Sequence, residues 1–587
     1  MTCRAVDFEK LRAALSDSAV EGLPERYGLT WPDKRKAVAL ANAPTSKVLR
    51  PVREKSSDFE TTGNVFIEGD NLSALKCLRE AYLGRVKMIY IDPPYNTGGD
   101  FIYRDNFFLS KDEYLASSGQ RTPEGGMLVG NPEVNGRFHT DWLNMMYPRL
   151  KVARDLLSDD GIIMISIDYN ENFNLRAVCN EIFGESNFLG EIYWESKTKS
   201  QNTSSAFAKL QPKVEVILVY AKNQRKNFNL VTVGAKAYEL SDEKGAYREH
   251  VLEEMNAAGT RGRETMVYAI EVGGETVKPR EGMQWKFGKE TVETLRRAGD
   301  VFIRDGKVVL KVRPGTERAE KTLPFWGLID KTIGTAESAK KELSEMMDGP
   351  VFETVKPVEL IRKLVFHVTD PDDIVLDFFA GSGTTAHAVM RLNGEDGGRR
   401  RFILVQIDAE VTKEDVVPYG LGYRNIAEIT RERIVRSGRR VSEETELTGC
   451  RPDTGFRYFR VDDANMRDVA RRPDETHQDD LFAQADNIRP DRTPEDLLVQ
   501  AMLALGVTLD APVRQTIVAG KTFYDVAEGY LLASFDAYLT DEVLEAMAKR
   551  KPAYAVVRDA GFDSDSVADN FRQIFKTYSP ETCCKVI

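Results

Sequence analysis

Cysteine and histidine are both scarce in this sequence, with six and five copies among 587 residues. The cysteines, Cys3, Cys77, Cys179, Cys450, Cys583 and Cys584, form no C-x-x-C pair. Zinc sites need clustered thiolates and imidazoles, so no metal centre is expected, and scattered thiols suit a reducing cytoplasm. No stretch reaches the ~18 uninterrupted apolar residues that a membrane span requires. The opening MTCRAVDFEKLRAALSDS lacks the apolar core of an export signal, so a cytoplasmic location without membrane contact is expected. A phosphate-binding loop is also missing. The G-K-T at Gly520 has Gln515 where such a loop needs its first glycine, so no ATPase motor is expected.

Positive charge is also in deficit, with a net charge of −11. That sum disfavours a partner of nucleic acid, but distribution matters more than total. Between Ser196 and Lys226 stand Lys197, Lys199, Lys209, Lys213, Lys222, Arg225 and Lys226 against a single acid, Glu215. This segment includes the polar run SQNTSSAF and reads either as a solvated surface or as a loop facing phosphates.

A chain of this length needs more than one core. From about residue 63, short apolar strands alternate with helical stretches: NVFIE (64–68), VKMIYI (86–91), GIIMISI (161–167) and KVEVILVYA (213–221) are the strands. Such alternation predicts an α/β fold with a parallel sheet covered on both faces, whose ligands bind at the carboxyl ends of the strands. The pattern breaks at 224–350, where hairpins are expected near VGGE (272–275) and IRDGKV (303–308), and resumes at Val351. The expected division is an N-terminal helical extension (1–60), a first α/β half (61–223), an inserted α+β domain (224–350) and a second α/β half (351–470). An acidic, proline-rich linker (471–496) and an α+β C-terminal domain (497–587) follow.

Two strand ends carry chemistry. The first is Asp92-Pro93-Pro94-Tyr95, directly after VKMIYI. An exocyclic amino group on a nucleobase is a poor nucleophile because its lone pair is delocalised into the ring. A carboxylate and a fixed carbonyl that accept its two hydrogens would localise and aim that lone pair. Prolines lock φ and hold neighbouring carbonyls in place. The Tyr95 ring offers a stacking face for a base taken out of the duplex, and its hydroxyl is not expected to matter. The bland alternative is an aspartate capping a tight turn. The second is VLDFFAGSGTTAHAV (375–389), where Gly381, Gly383 and Ala386 fit a strand-to-helix turn that lets backbone approach a ligand. Alone it would also suit a nicotinamide-dependent dehydrogenase, with Asp396 or Asp408 on the ribose. That reading leaves Asp92-Pro93-Pro94-Tyr95 unexplained.

Together the motifs resemble the S-adenosyl-L-methionine-dependent DNA methyltransferases that act on amino groups. Their aspartates, Asp92 and Asp377, stand in the order of the β class: catalytic motif first, cofactor motif second, target-recognition domain between. IEGDNLSALKCL, IDPPYNTG, ETVKPVELIRKLV, LDFFAGSGTTAHAVMRL, GLGYRNIAEITRERI and FRYFRVDDANM resemble the Mod subunits of type III restriction–modification systems, from about Gly63 to the C-terminus.

The resemblance implies a Rossmann-like, circularly permuted sheet. It implies adenine-specific N6 methylation of duplex DNA by base flipping, a homodimer, and a separate Res helicase–nuclease partner. It places Asp92, Pro93, Pro94 and Tyr95 at the target amino group. Asp70, Asn71, Lys356, Asp377, Phe378, Phe379, Gly381, Gly383, Thr384 and Thr385 fall at the cofactor. Asn96, Lys197, Lys199 and Lys213 fall at the DNA. A ribose-binding glutamate of the broader class is replaced by Gln406, so Gln406 or Asp408 holds the ribose. Cytosine-N4 methylation and a catalytically silent specificity subunit are the alternatives. The first usually has serine at the position of Asp92, and intact motifs oppose the second. The arginines of 224–350 (Arg261, Arg263, Arg280, Arg296, Arg297, Arg304, Arg313, Arg318) are the expected pool of base and phosphate readers.

Overall fold

The computed structural model describes residues 28–97, 101–103, 128–130, 138–200, 207, 210–223, 227–235, 237–258, 262–315, 320–446, 449–467, 488–558 and 565–587. It separates into two compact units, one formed by 1–229 with 326–587 and the other by Leu230–Phe325.

The larger unit is built on a ten-stranded sheet. In chain order its strands are β1 (Lys47–Pro51), β2 (Val65–Glu68), β3 (Val86–Ile91), β4 (Leu157–Ile167), β5 (Phe188–Glu195), β6 (Val214–Ala221), β7 (Leu328–Ile329), β8 (Ile374–Asp377), β9 (Arg401–Gln406) and β10 (Arg457–Asp463). Their spatial order is β1-β10-β2-β9-β8-β3-β4-β6-β5-β7. The run from β10 to β4 is parallel throughout. All six residues of β3 are buried, as a central strand covered on both faces requires. Val65, Ile67, Ile89, Ile91, Ile163 and Ile165 share a core with the helices Asn71–Tyr82, Phe138–Leu156 and Asn172–Phe183. Helices Val358–Val368, Thr384–Asp396 and Ile426–Glu446 pack on one another as a second layer.

The α/β class is therefore as expected, with two differences. The sheet is mixed: β6 runs antiparallel to both β4 and β5, and β1 runs antiparallel to β10. Strand β5 was not anticipated, because FLGEIYWE carries charge and is only partly buried. The permutation is plain in the order of strands. β8, far along the chain, sits beside β3, with Val375 opposite Met88 and Leu376 opposite Ile89.

Several domain limits shift. Within the expected helical extension, the described part has one helix, Lys34–Asn42, and then β1, which joins the main sheet. The inserted unit is Leu230–Phe325, narrower than 224–350, because β7 pairs with β5 and Thr335 caps the helix Ala336–Met346 of the larger unit. Within this insert, the four-stranded sheet Leu240–Asp242, Gly245–Val251, Lys307–Val312 and Val301–Arg304 shares a core of Leu252, Trp285, Val292 and Leu310 with helix Lys289–Arg297. Both expected hairpins are present.

Most of the expected linker lies outside the described residues. Its end does not behave as a linker: Thr493 and Asp496 form a capping box for helix Pro494–Ala504. The C-terminal segment adds a five-stranded sheet and two further helices, Asp541–Lys549 and Asp565–Tyr578. It is tied to the main sheet by Arg50 on Asp496, by Arg401 on Asp510, and by Arg457 donating to the Leu509 carbonyl at 2.6 Å. No described helix is long and apolar enough to cross a membrane.

Candidate active site

The neighbouring strands β3 and β8 bring the two motifs together at their carboxyl ends. Asp92 is the residue after β3, and Asp377 is the last residue of β8. Asp92 is close enough that its charge contributes to raising the pKa of Asp377.

Around Asp92 the structure assembles three polar side chains, Tyr95 from the same turn and Glu215 and Lys356 from distant parts of the chain. Lys356 Nζ lies 2.9 Å from Asp92 Oδ1 and 2.7 Å from Oδ2. It is also 3.3 Å from Glu215 Oε2, on β6, and 5.1 Å from the centre of the Tyr95 ring. Tyr95 Oη is 2.9 Å from Asp92 Oδ1 and 3.0 Å from Glu215 Oε2. Burial disfavours the charge on Lys356, but the two carboxylates outweigh it and raise the pKa of the ammonium. Burial likewise opposes the charge on Glu215, yet Lys356 and its hydrogen-bond donors bring the pKa below the ordinary value. Tyr95 is held protonated by burial and then by the two neighbouring carboxylates, which would repel a phenolate.

Two expectations change here. Lys356, expected at the cofactor, is spent on Asp92 and Glu215. The Tyr95 hydroxyl, expected to be idle, bridges two carboxylates. The two proline carbonyls differ: Pro94 O accepts from the buried Trp142 indole at 2.7 Å, whereas Pro93 O receives no donor from the described residues.

The glycine turn is braced from three sides. Gly381 and Gly383 have φ of +54° and +85°, where an L side chain is strained. A Cβ on Gly383 would meet Thr430 Cγ2 at 3.2 Å, so helix Ile426–Glu446 is packed directly against the turn. From that helix, Thr430 donates to Gly381 O at 2.6 Å, and buried Arg433 donates to Ser382 Oγ at 2.5 Å and Thr384 Oγ1 at 2.7 Å. Asp377 accepts from Phe379 N at 3.0 Å and Thr385 Oγ1 at 2.6 Å. Its burial is complete enough to push its pKa up to about 7 despite those donors. Phe378 is fully buried, and Phe379 nearly so.

Gln406 is engaged with the glycine turn. Its Oε1 accepts from Gly381 N at 2.7 Å, so the amide supports the turn. Asp408, beyond the end of β9, is exposed and remains the carboxylate available there. Asn71 is also a support. It donates to Phe378 O at 2.8 Å and accepts from the fully buried Arg149 at 2.5 Å. Arg149 reaches Asp70 Oδ2 at 3.1 Å, while Asp70 Oδ1 caps helix Asn71–Tyr82 through Ser73 N. Asp70 keeps 35% of its side chain exposed, enough to meet a ligand.

The DNA candidates divide. Asn96 is buried with φ +60° and donates to Glu171 Oε1 at 2.6 Å, so it fixes the loop and is turned away from solvent. Glu171 also takes His139 Nδ1 at 2.6 Å and Asn174 Nδ2 at 2.7 Å. Lys197, Lys199 and Lys213 are exposed, although Lys213 pairs with Glu195 at 2.5 Å and Lys199 lies 4.0 Å from Glu337. Lys209, Arg225 and Lys226 lie outside the described residues. Sequence reasoning missed Glu215, Glu171, Arg149 and Arg433. Glu215 and Arg149 sit inside apolar runs, which is the available signal, whereas Glu171 and Arg433 lie among polar neighbours and offer none.

Comparison with known proteins agrees with this geometry. A family model described as DNA methylase, of the N6/N4 type, matches residues 86–415. The Mod subunit of the type III restriction–modification enzyme StyLTI from Salmonella typhimurium is 33% identical over 79% of this chain and 72% of its own length. The EcoPI Mod subunit of Escherichia phage P1 is 34% identical over 73% of this chain and 70% of its own. The EcoP15I Mod subunit of Escherichia coli is 30% identical over 92% of this chain and 87% of its own.

Proposed function

Since the chain belongs to the N6/N4 DNA methylases, and among them to the Mod subunits of type III restriction–modification enzymes, we propose that it methylates the N6 amino group of adenine at specific sites in duplex DNA. The observation that carries this reading is the adjacency of β3 and β8, which sets Asp92 and the Pro93 carbonyl beside the glycine turn. An aspartate at position 92, where the cytosine-N4 enzymes that this chain resembles usually carry serine, favours adenine.

S-adenosyl-L-methionine supplies an electrophilic methyl group on a positively charged sulfur. Two features of the chain fit it. Gly381 and Gly383 admit no side chain without strain, leaving room there for close backbone approach. The cluster of Asp92, Glu215 and Lys356 has one carboxylate more than it has cations, which suits a cationic neighbour. Asp70, Phe379, the Gly381–Gly383 backbone and Asp408 would hold the cofactor. Asn71, Asp377, Thr384, Thr385 and Gln406 would hold the turn.

Asp92 and Pro93 O take the two amino hydrogens and so restore the lone pair of the amino nitrogen. Tyr95 stacks on the extruded base and so orients it. Exposed Lys197, Lys199 and Lys213 meet phosphates, and the Leu230–Phe325 unit reads the sequence. A second copy of the chain and a Res helicase–nuclease are the partners of this reading, and the cytoplasm is its location. Its test is transfer of labelled methyl from S-adenosyl-L-methionine to duplex DNA, with long-read mapping of the modified base. Labelled cytosine would replace the adenine reading, and no label in any duplex would end it.

A further inference from the structure

Asp92 faces a conflict. An adenine amino hydrogen needs a carboxylate oxygen, yet Lys356 lies 2.9 and 2.7 Å from the two oxygens of Asp92, and Tyr95 Oη lies 2.9 Å from one of them. An oxygen already facing an ammonium is a weakened acceptor, so Lys356 must loosen its hold before Asp92 can grip the base. A buried ammonium cannot simply be released, because desolvation penalises it unless another anion takes over.

Glu215 is placed to be that anion. Its Oε2 already accepts from Tyr95 Oη at 3.0 Å and lies 3.3 Å from Lys356 Nζ, so a small shift tightens its hold on the ammonium. It stands near the start of β6, paired with Trp194 of β5, and the next residue, Val216, pairs with Ile167 of β4, so its backbone is held. Neutralising Lys356 does not require it, since Asp92 does so at shorter distance. A second carboxylate in a buried cluster is a cost unless the cation has somewhere to go.

We propose that Glu215 is a positioning residue for methyl transfer: it receives Lys356 and the Tyr95 hydroxyl as the target amino group takes their place on Asp92. The exchange changes hydrogen bonds only; no covalent bond forms or breaks. This inference rests on the adenine-N6 reading above.

The test uses the full chain and the mapped target site. Glu215→Gln keeps the shape but lacks the charge, so Lys356 stays on Asp92 and turnover falls about 10- to 100-fold. Tm should stay level or rise, with affinity for S-adenosylhomocysteine, which lacks the sulfonium charge, unchanged. Glu215→Asp alters the shape but keeps the charge, and should retain more turnover than Gln. A binding measurement adds a readout without turnover. With S-adenosylhomocysteine present, the wild type should prefer duplex with adenine at the target over duplex with purine, which lacks the amino group, and Glu215→Gln should lose that preference. Wild-type turnover in Glu215→Gln, an equal fall in turnover and Tm, more turnover in Gln than in Asp, or an intact preference in Glu215→Gln would each overturn the proposal. A wild type that methylates no adenine would instead overturn the reading beneath it.

Discussion

Lys356 and Asp92, 264 positions apart in sequence, meet as an ion pair at 2.7 Å with only 10% and 25% of their side chains exposed. Replacing Lys356 with Met leaves Asp92 and Glu215 facing each other without a cation. Breaking a buried pair in this way costs about 3–5 kcal/mol. We expect Lys356→Met to lose that much in urea unfolding at neutral pH and to recover part of it in acid, where protonation relieves the repulsion. Unchanged stability would show that solvent already screens the cluster.

The bridging hydroxyl makes Tyr95→Phe more damaging than a stacking role alone implies. Hydrogen bonds to charged groups contribute about 1.5–3 kcal/mol, so turnover should fall roughly tenfold or more. Tyr95→Ala should fall further, since it also loses base stacking of about 1–3 kcal/mol. Single-turnover rates of the two variants settle the order. A wild-type rate in Tyr95→Phe would leave only the ring with a role.

At Gly383 both conformation and space are against a side chain. Left-handed backbone costs an L residue about 1–2 kcal/mol, and a Cβ would press on Thr430 at 3.2 Å. Gly383→Ala should lower both Tm and affinity for S-adenosyl-L-methionine, the latter measured by calorimetry. Wild-type cofactor affinity in a destabilised variant would make the turn purely structural.

Asp377 gives a pH signature of known sign. Burial raises its folded pKa to about 7, above the ordinary 3.8. The folded state therefore binds more protons than the unfolded state between about pH 4 and 7. Stability from this group falls as pH rises through that window, and the penalty is complete above it. Subtracting the urea-midpoint profile of Asp377→Asn, which cannot titrate, from that of the wild type should leave a downward slope across the window. Parallel profiles would mean that the carboxylate titrates as it does in the unfolded chain.

In the Leu230–Phe325 unit, the arginines are not equivalent. Arg313 is held between Asp242 at 2.8 Å and Asp300 at 2.6 Å, and Arg280, Arg296 and Arg304 pair with Glu254, Glu293 and Glu249. Arg263 is exposed and has no ion pair among the described residues. Exchanging 230–325 for the matching segment of a relative should change the methylated sequence. Arg263→Ala should weaken DNA binding or relax one position of the site, whereas Arg313→Ala should unfold the unit first. A chimera that keeps the original site would move recognition elsewhere.

The legible parts of this sequence were those where one force dominates. β3 is an apolar run interrupted only by Lys87, and its expected limits, 86–91, are those of the strand. The glycine turn was visible because positive φ selects glycine. What stayed hidden depends on contacts between distant segments. Nothing local in KVEVILVYA says that Glu215 faces Asp92, and nothing near Lys356 says that it turns from the cofactor to the carboxylate. Asn96, Asn71 and Gln406 look like ligand contacts in a motif, and only the fold reveals that their amides are spent on Glu171, Phe378 and Gly381. The 224–350 limit was too wide because β7, a two-residue strand, is too short to leave a pattern.

The interleaving of late strands among early ones has a consequence during synthesis. β2 pairs only with β9 and β10, so from Glu68 to Arg401, a span of 401 − 68 = 333 residues, it has no neighbour on either edge. At about 5–20 residues per second, that interval lasts roughly 15–70 s on the ribosome. Throughout it the nascent chain presents open apolar strand edges, the surface on which sheets mispair and chaperones act. A message interrupted before residue 401 would yield no half-enzyme, only a fragment carrying Asp92-Pro93-Pro94-Tyr95 on a sheet that cannot close.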